Sequence, residues 1–213
     1  MPVSGSGERL FDICSMMIDL NPGMFATPIL ALTLVVWLYI FFLKKAADHS
    51  AFRRFIGKGM MLAFLLNYAW ELGHCTLYTA FVYDWPHVAF LGLASLADTI
   101  MAGLLYFGFA LIYKNGFWIQ HLTVSRTVWL VLVGGAGAAV SEIAHLSAGN
   151  WTYTNQMPLV FGIGLTPLLQ FSVLPLLIYW LSLNLSRHKP IDTSRHQVLV
   201  HGLRELPHSG PTY

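Results

Sequence analysis

Two short stretches decide how this chain is read: Asn67-Tyr68-Ala69-Trp70-Glu71-Leu72-Gly73-His74 and Ser141-Glu142-Ile143-Ala144-His145. Each puts a Glu three residues before a His, on one face of a helix. Each also lies inside a hydrophobic run long enough to cross a bilayer. Ionisable side chains at membrane depth are costly, so a cluster of them marks a functional site by default.

Working outward, the 213 residues are 56% hydrophobic and only 10% charged. A soluble domain carries about 25% charged residues, so composition predicts an integral membrane protein. Five spans are expected, at about 24–43, 59–81, 88–113, 128–147 and 158–185. The fold class is therefore an all-α, polytopic bundle of five transmembrane helices. Residues 1–186 form the membrane domain and 187–213 a polar cytoplasmic tail. Pro167 and Pro175 fall inside the last span and predict a kink there.

Eleven of the twelve Lys and Arg residues fall on one side of this arrangement. That side is cytoplasmic by the positive-inside rule, with the N-terminus outside, in a plasma membrane or bacterial inner membrane. The first 19 residues lack a basic n-region, so the first hydrophobic segment reads as a retained span rather than a leader. The basic residues lie beside hydrophobic spans, so the partner they imply is the bilayer and not nucleic acid. Cys14 and Cys75 form no CxxC pair. The Met residues at 16, 17, 60 and 61 read as apolar filling, and His188, His196, His201 and His208 as solvated side chains of the tail.

The second and third spans also resemble the fourth and fifth, as in a parallel duplication. Glu71 and His74 align with Glu142 and His145, Pro86 with Pro158, and Gly92-Leu93 with Gly164-Leu165. Asp98 then falls opposite Gln170. In the second span, Asn67, Glu71, His74 and Tyr78 are spaced four, three and four residues apart, which makes one polar stripe facing the bundle interior. In the fourth, Gly134, Gly135, Gly137, Ala138 and Ala139 permit close helix contact just before Glu142.

Several chemistries fit this constellation. Carboxylate-bridged metal bundles use Glu-x-x-His from two helices and a carboxylate from each of two more. Glu71, His74, Glu142, His145 and Asp98 would be the ligands of iron, manganese or zinc, with Gln170 as the departure from the pattern. This is the first expectation: a metal-dependent enzyme acting on a lipophilic substrate. The second is metal-free acid–base chemistry, in which a buried carboxyl, Glu71 or Asp98, donates a proton and a His holds or removes one. A small proton-coupled carrier is a third reading. Plain interhelical hydrogen bonding is the fourth. In all of them Asn67, Tyr78 and Gln170 play a supporting part. A homo-oligomer is compatible with each.

Asn67-Tyr68-Ala69-Trp70-Glu71, followed by Tyr78, resembles the Asn-x-Ala-Trp-Glu segment of integral-membrane terpene cyclases. The resemblance implies that Glu71 is a proton donor to an isoprenoid epoxide or alkene. The segment from Glu142 to Pro158, with its Trp151-Thr152-Tyr153 turn, is more faintly similar to membrane carotenoid-biosynthesis proteins. Both resemblances imply isoprenoid lipid metabolism.

Overall fold

The computed structural model describes residues 26–79 and 81–186. It holds five long helices: α1 (Ala26–Lys45), α2 (His49–His74), α3 (Trp85–Ile112), α4 (Val124–Ser147) and α5 (Leu165–Ser186). The N-terminal stretch and the histidine-bearing tail lie outside the described residues. Four of the helices, α1, α3, α4 and α5, are long and apolar enough to cross a membrane. The other, α2, is 26 residues long and carries the polar stripe together with Arg53, Arg54 and Lys58.

Local chemistry sets the helix starts. Asp48 accepts a hydrogen bond from the Ala51 N–H, Asp84 from that of His87, and Thr123 from that of Arg126. Each thereby satisfies one of the donors a helix N-terminus leaves free. The Asp48 cap starts α2 ten residues before the expected position 59. The helix then stops at His74, short of the expected 81, because its terminal carbonyls are met from outside the ladder. Tyr83 donates its hydroxyl to the Leu72 carbonyl at 2.8 Å, and a ring nitrogen of His74 bonds the Trp70 carbonyl at 2.8 Å. A 3₁₀ turn, Cys75–Leu77, leads into extended backbone at Tyr78.

The last span also departs from expectation. Residues 158–164 do not join the helix but form a two-stranded hairpin, β1 (Leu159–Val160) paired with β2 (Ile163–Gly164). Its two-residue turn has φ of 52° at Phe161 and 80° at Gly162, the positive pair that a type I′ hairpin turn needs. Helix α5 starts only at Leu165. Pro167 consequently sits in the first turn, where its missing N–H removes no helical bond, and Pro175 is the proline inside the helix.

Helix α2 packs on α3 and on α5, α4 packs on α5, and α1 packs mainly on α3. The outward faces are apolar, with Leu30, Trp37, Phe90 and Trp180 all exposed, as a lipid-facing surface requires. Lipid is as apolar as leucine, so close packing and polar bonds rather than hydrophobic burial must hold the helices together. The glycines of α4 supply the close packing. A Cβ on Gly134 would run into the Phe171 carbonyl of α5, and one on Gly135 would lie 2.7 Å from the Ser172 hydroxyl. The half of the bundle nearest the basic residues is a dense aromatic plug of Phe52, Phe55, Tyr106, Phe107, Trp118 and Tyr179. The polar groups occupy the other half.

Candidate functional site

Gln170 of α5 organises the polar layer. Its amide nitrogen lies 3.0 Å from the side-chain oxygen of Asn67, 3.1 Å from a Glu71 oxygen and 3.0 Å from an Asp98 oxygen. Three helices thus converge on one amide. Asp98 and Gln170, aligned opposite each other in the sequence repeat, do meet. Asn67 is held from behind by donating to the Ala63 carbonyl at 2.8 Å. An amide NH₂ has two hydrogens, so it cannot serve three acceptors at once. The Glu71 and Asp98 carboxyls thus share the hydrogens of one amide.

His74 stands beside this pair. A backbone carbonyl can only accept, so the Nδ1 that meets the Trp70 carbonyl carries the hydrogen. The lone pair of the neutral ring is therefore on Nε2, which lies 3.9 Å from a Glu71 oxygen. Glu71 and His74 keep the relation that their spacing predicts.

The second Glu-x-x-His pair is built differently. Glu142 is buried and accepts from the indole N–H of Trp151 at 3.3 Å and from the Tyr153 hydroxyl. His145 turns towards the loop. Its Nδ1 accepts from the Asn150 side chain at 2.7 Å, and its ring stacks on Trp151 with centroids 4.2 Å apart. The structure does not bring His145 to Glu71 and His74.

Above the carboxyls lies an aromatic roof. The loops after α2 and α4 pair through a bridge between Tyr78 and Tyr153. The Thr79 N–H bonds the Thr152 carbonyl and the Thr154 N–H bonds the Leu77 carbonyl, both at 2.9 Å. The Tyr78 ring lies 5.5 Å from those of His74 and Tyr153, and 6.1 Å from that of Trp151. Burial above all, and then the charges of Glu142, Glu71, Tyr153 and Asp98, push the Tyr78 phenol above its ordinary range. The Tyr78 ring thus bridges His74 at the end of α2 and the Trp151–Tyr153 loop that follows α4.

Trp151 and Tyr153 do not stand out at the membrane boundary as the residues of an aromatic belt do. They point inward instead, because Glu142 offers their polar edges an acceptor. Trp85 and Tyr83 keep the exposed position expected of a belt. Asp84 and His87 form the cap of α3, with His87 Nδ1 2.6 Å from Asp84.

The donor set does not fit the expected metal centre as it stands. Among the described residues no group of three His, Cys, Asp or Glu side chains is gathered to hold an ion. Gln170 presents N–H donors where a cation would need oxygen lone pairs, and the two imidazoles are bonded in different directions. What the arrangement can do is hold a proton on a carboxyl pair, beside a histidine lone pair, beneath aromatic faces. No protein-family model matches the chain, and neither a curated protein nor a solved structure matches it significantly.

Proposed function

We propose that the chain is an integral-membrane acid–base enzyme that protonates a lipophilic, isoprenoid-like substrate from the Glu71–Asp98 pair. The observation that carries this reading is the convergence of both carboxyls on the single amide nitrogen of Gln170, at 3.1 and 3.0 Å. Two carboxyls that share one amide repel each other when both are ionised, so the site favours keeping a proton on one of them. One of them is a ready proton donor at neutral pH. The Asn-x-Ala-Trp-Glu resemblance assigns the same role to Glu71 and supplies the isoprenoid class.

The proton balance is simple. The protonated carboxyl gives H⁺ to an alkene carbon or an epoxide oxygen, and positive charge develops on substrate carbon. The faces of Tyr78 and Trp151 can stabilise such a cation. A proton is then lost from substrate carbon to His74 Nε2 or back to the carboxylate, and His74 can return its proton to Glu71. The product is an isomer of the substrate. In this reading α2 crosses the membrane with the other four helices, and the basic end is cytoplasmic. Metal-assisted chemistry is the less favoured reading, since a cation would have to displace the amide hydrogens of Gln170.

The test is turnover of a prenyl alkene by purified protein in nanodiscs, carried out in D₂O. The expected product is an isomer carrying one carbon-bound deuterium, formed in the presence of chelator. Glu71→Gln and Asp98→Asn should each lower the rate by about 10²- to 10⁴-fold, the usual contribution of a general acid. Activity that chelation abolishes and metal restores would overturn the reading. So would proton-driven flux without product.

A further inference from the structure

The four helices that carry polar groups do not close into a ring. Helix α2 lies against α3 and α5, and α5 lies against α4, but α3 and α4 share no extended interface. They come together near Leu105, whose Cδ2 lies 3.6 Å from where a Cβ on Gly134 would sit. About two turns from that point towards the roof, α3 carries Asp98 and α4 carries Glu142.

Exposure differs across this layer. Asn67 and Gln170, on the closed α2–α5 wall, are each 2% exposed. Asp98 and Glu71 are partly exposed. Met101, one turn from Asp98, is 41% exposed. The paired loops carrying Tyr78 and Tyr153 cover the carboxyls from the exterior side, and the aromatic plug occupies the basic side, leaving a small apolar cavity between Phe55, Gly59, Gly103 and Tyr179. Among the described residues, the remaining open direction is sideways, into the hydrocarbon. A carboxyl that borders lipid is costly unless something polar meets it.

We infer that the edge between α3 and α4 is a lateral window through which a lipophilic ligand reaches the carboxyl pair from within the bilayer. The occupant is a hydrocarbon chain lying along α3, with one hydrogen-bonding or protonatable group directed at Asp98 and Glu71. The lipophilic character of the ligand rests on the reading proposed above. The window itself can be tested without turnover.

The probe is a hydrocarbon diazirine dissolved in vesicles that contain the full chain, followed by illumination and peptide mapping. Its carbene inserts readily into carboxyl O–H bonds, so adducts are expected on the peptides carrying Asp98 and Glu71. Met101→Trp, which adds bulk at the window, should abolish those adducts. Leu96→Trp, on the other face of α3 and 49% exposed, should leave them unchanged. Both positions already face outward, and circular dichroism of each variant checks that the helices remain. Labelling confined to outward side chains such as Leu93 and Trp180 overturns the window, as does an equal effect of the two variants. A chain that is labelled but turns over no isoprenoid would retain the window and lose the proposed chemistry. A chain that turns over but is never labelled at Asp98 or Glu71 would do the reverse.

Discussion

Gly134 and Gly137 offer an internal comparison within one helix. A Cβ on Gly137 would meet nothing within 4 Å, whereas one on Gly134 would lie 3.0 Å from the Phe171 carbonyl carbon and closer still to its oxygen. Carbon contacts sit at about 3.5–4.0 Å, so α4 and α5 must part by at least about half an ångström to admit Gly134→Ala. Backbone is the obstacle, and no rotamer change can relieve it. Both alanines gain the same helix propensity, about 1 kcal/mol in water, so the difference between the variants isolates the clash. Overpacking of this kind costs about 1–3 kcal/mol, or about 5- to 150-fold in the folding equilibrium. Denaturant titration in mild detergent, followed by circular dichroism, should find Gly134→Ala less stable than Gly137→Ala by that margin. The parting should also reach Glu142, about 12 Å further along α4, and weaken its hold on Trp151, visible as a change in indole fluorescence. Equal stability of the two variants would mean that α4 does not rest on α5 at this level, and the depth assigned to Glu142 would fall with it.

Three other substitutions probe the layer and its roof. Gln170→Leu removes the donor shared by Asn67, Glu71 and Asp98; each acceptor left unpaired costs about 1–3 kcal/mol, so the melting temperature should fall well below that of Gln170→Asn, which keeps an amide. Tyr153→Phe deletes the hydroxyl that donates to Glu142 and accepts from the Gly164 N–H at 3.0 Å, with an expected loss of about 0.5–1.5 kcal/mol per bond at neutral pH. Burial first, and donation to Glu142 second, push Tyr153 up to about 12 from 10.0. Its contribution is therefore whole below pH 10 and is lost as pH rises through about 12; the stabilities of wild type and variant should converge at the alkaline end, where wild type alone gains one further tyrosinate absorbance. Phe161→Asn replaces a fully exposed side chain held at φ 52° by a residue that tolerates that conformation, and a gain of about 1 kcal/mol is expected. A loss of stability there would indicate that the Phe161 ring is held by the membrane interface.

The sequence by itself determined the class of the molecule and most of the polar layer. Hydropathy runs separate the long helices because a bilayer demands about 20 apolar residues per crossing. The four-three-four spacing of Asn67, Glu71, His74 and Tyr78 kept Asn67, Glu71 and His74 on one helical face, since helical geometry is local. The likeness of the two halves foretold that Asp98 and Gln170 lie at one level, and they meet at 3.0 Å. Tertiary structure decided what the layer became. The same Glu-x-x-His spacing yields a carboxyl beside an imidazole at Glu71 and His74. At Glu142 and His145 it yields a carboxyl that anchors two aromatic side chains and an imidazole stacked on Trp151. The difference comes from partners brought in by the pairing of two loops more than 70 residues apart, Thr79 with Thr152. No local pattern encodes that pairing. The start of α5 was hidden for a related reason: residues 158–164 are apolar enough to continue a span, and only the turn at Phe161 and Gly162 folds them back. Hydrophobic period specifies which side chains must leave water, whereas the hydrogen-bond partner each buried polar group finds is set by which helices and loops become neighbours.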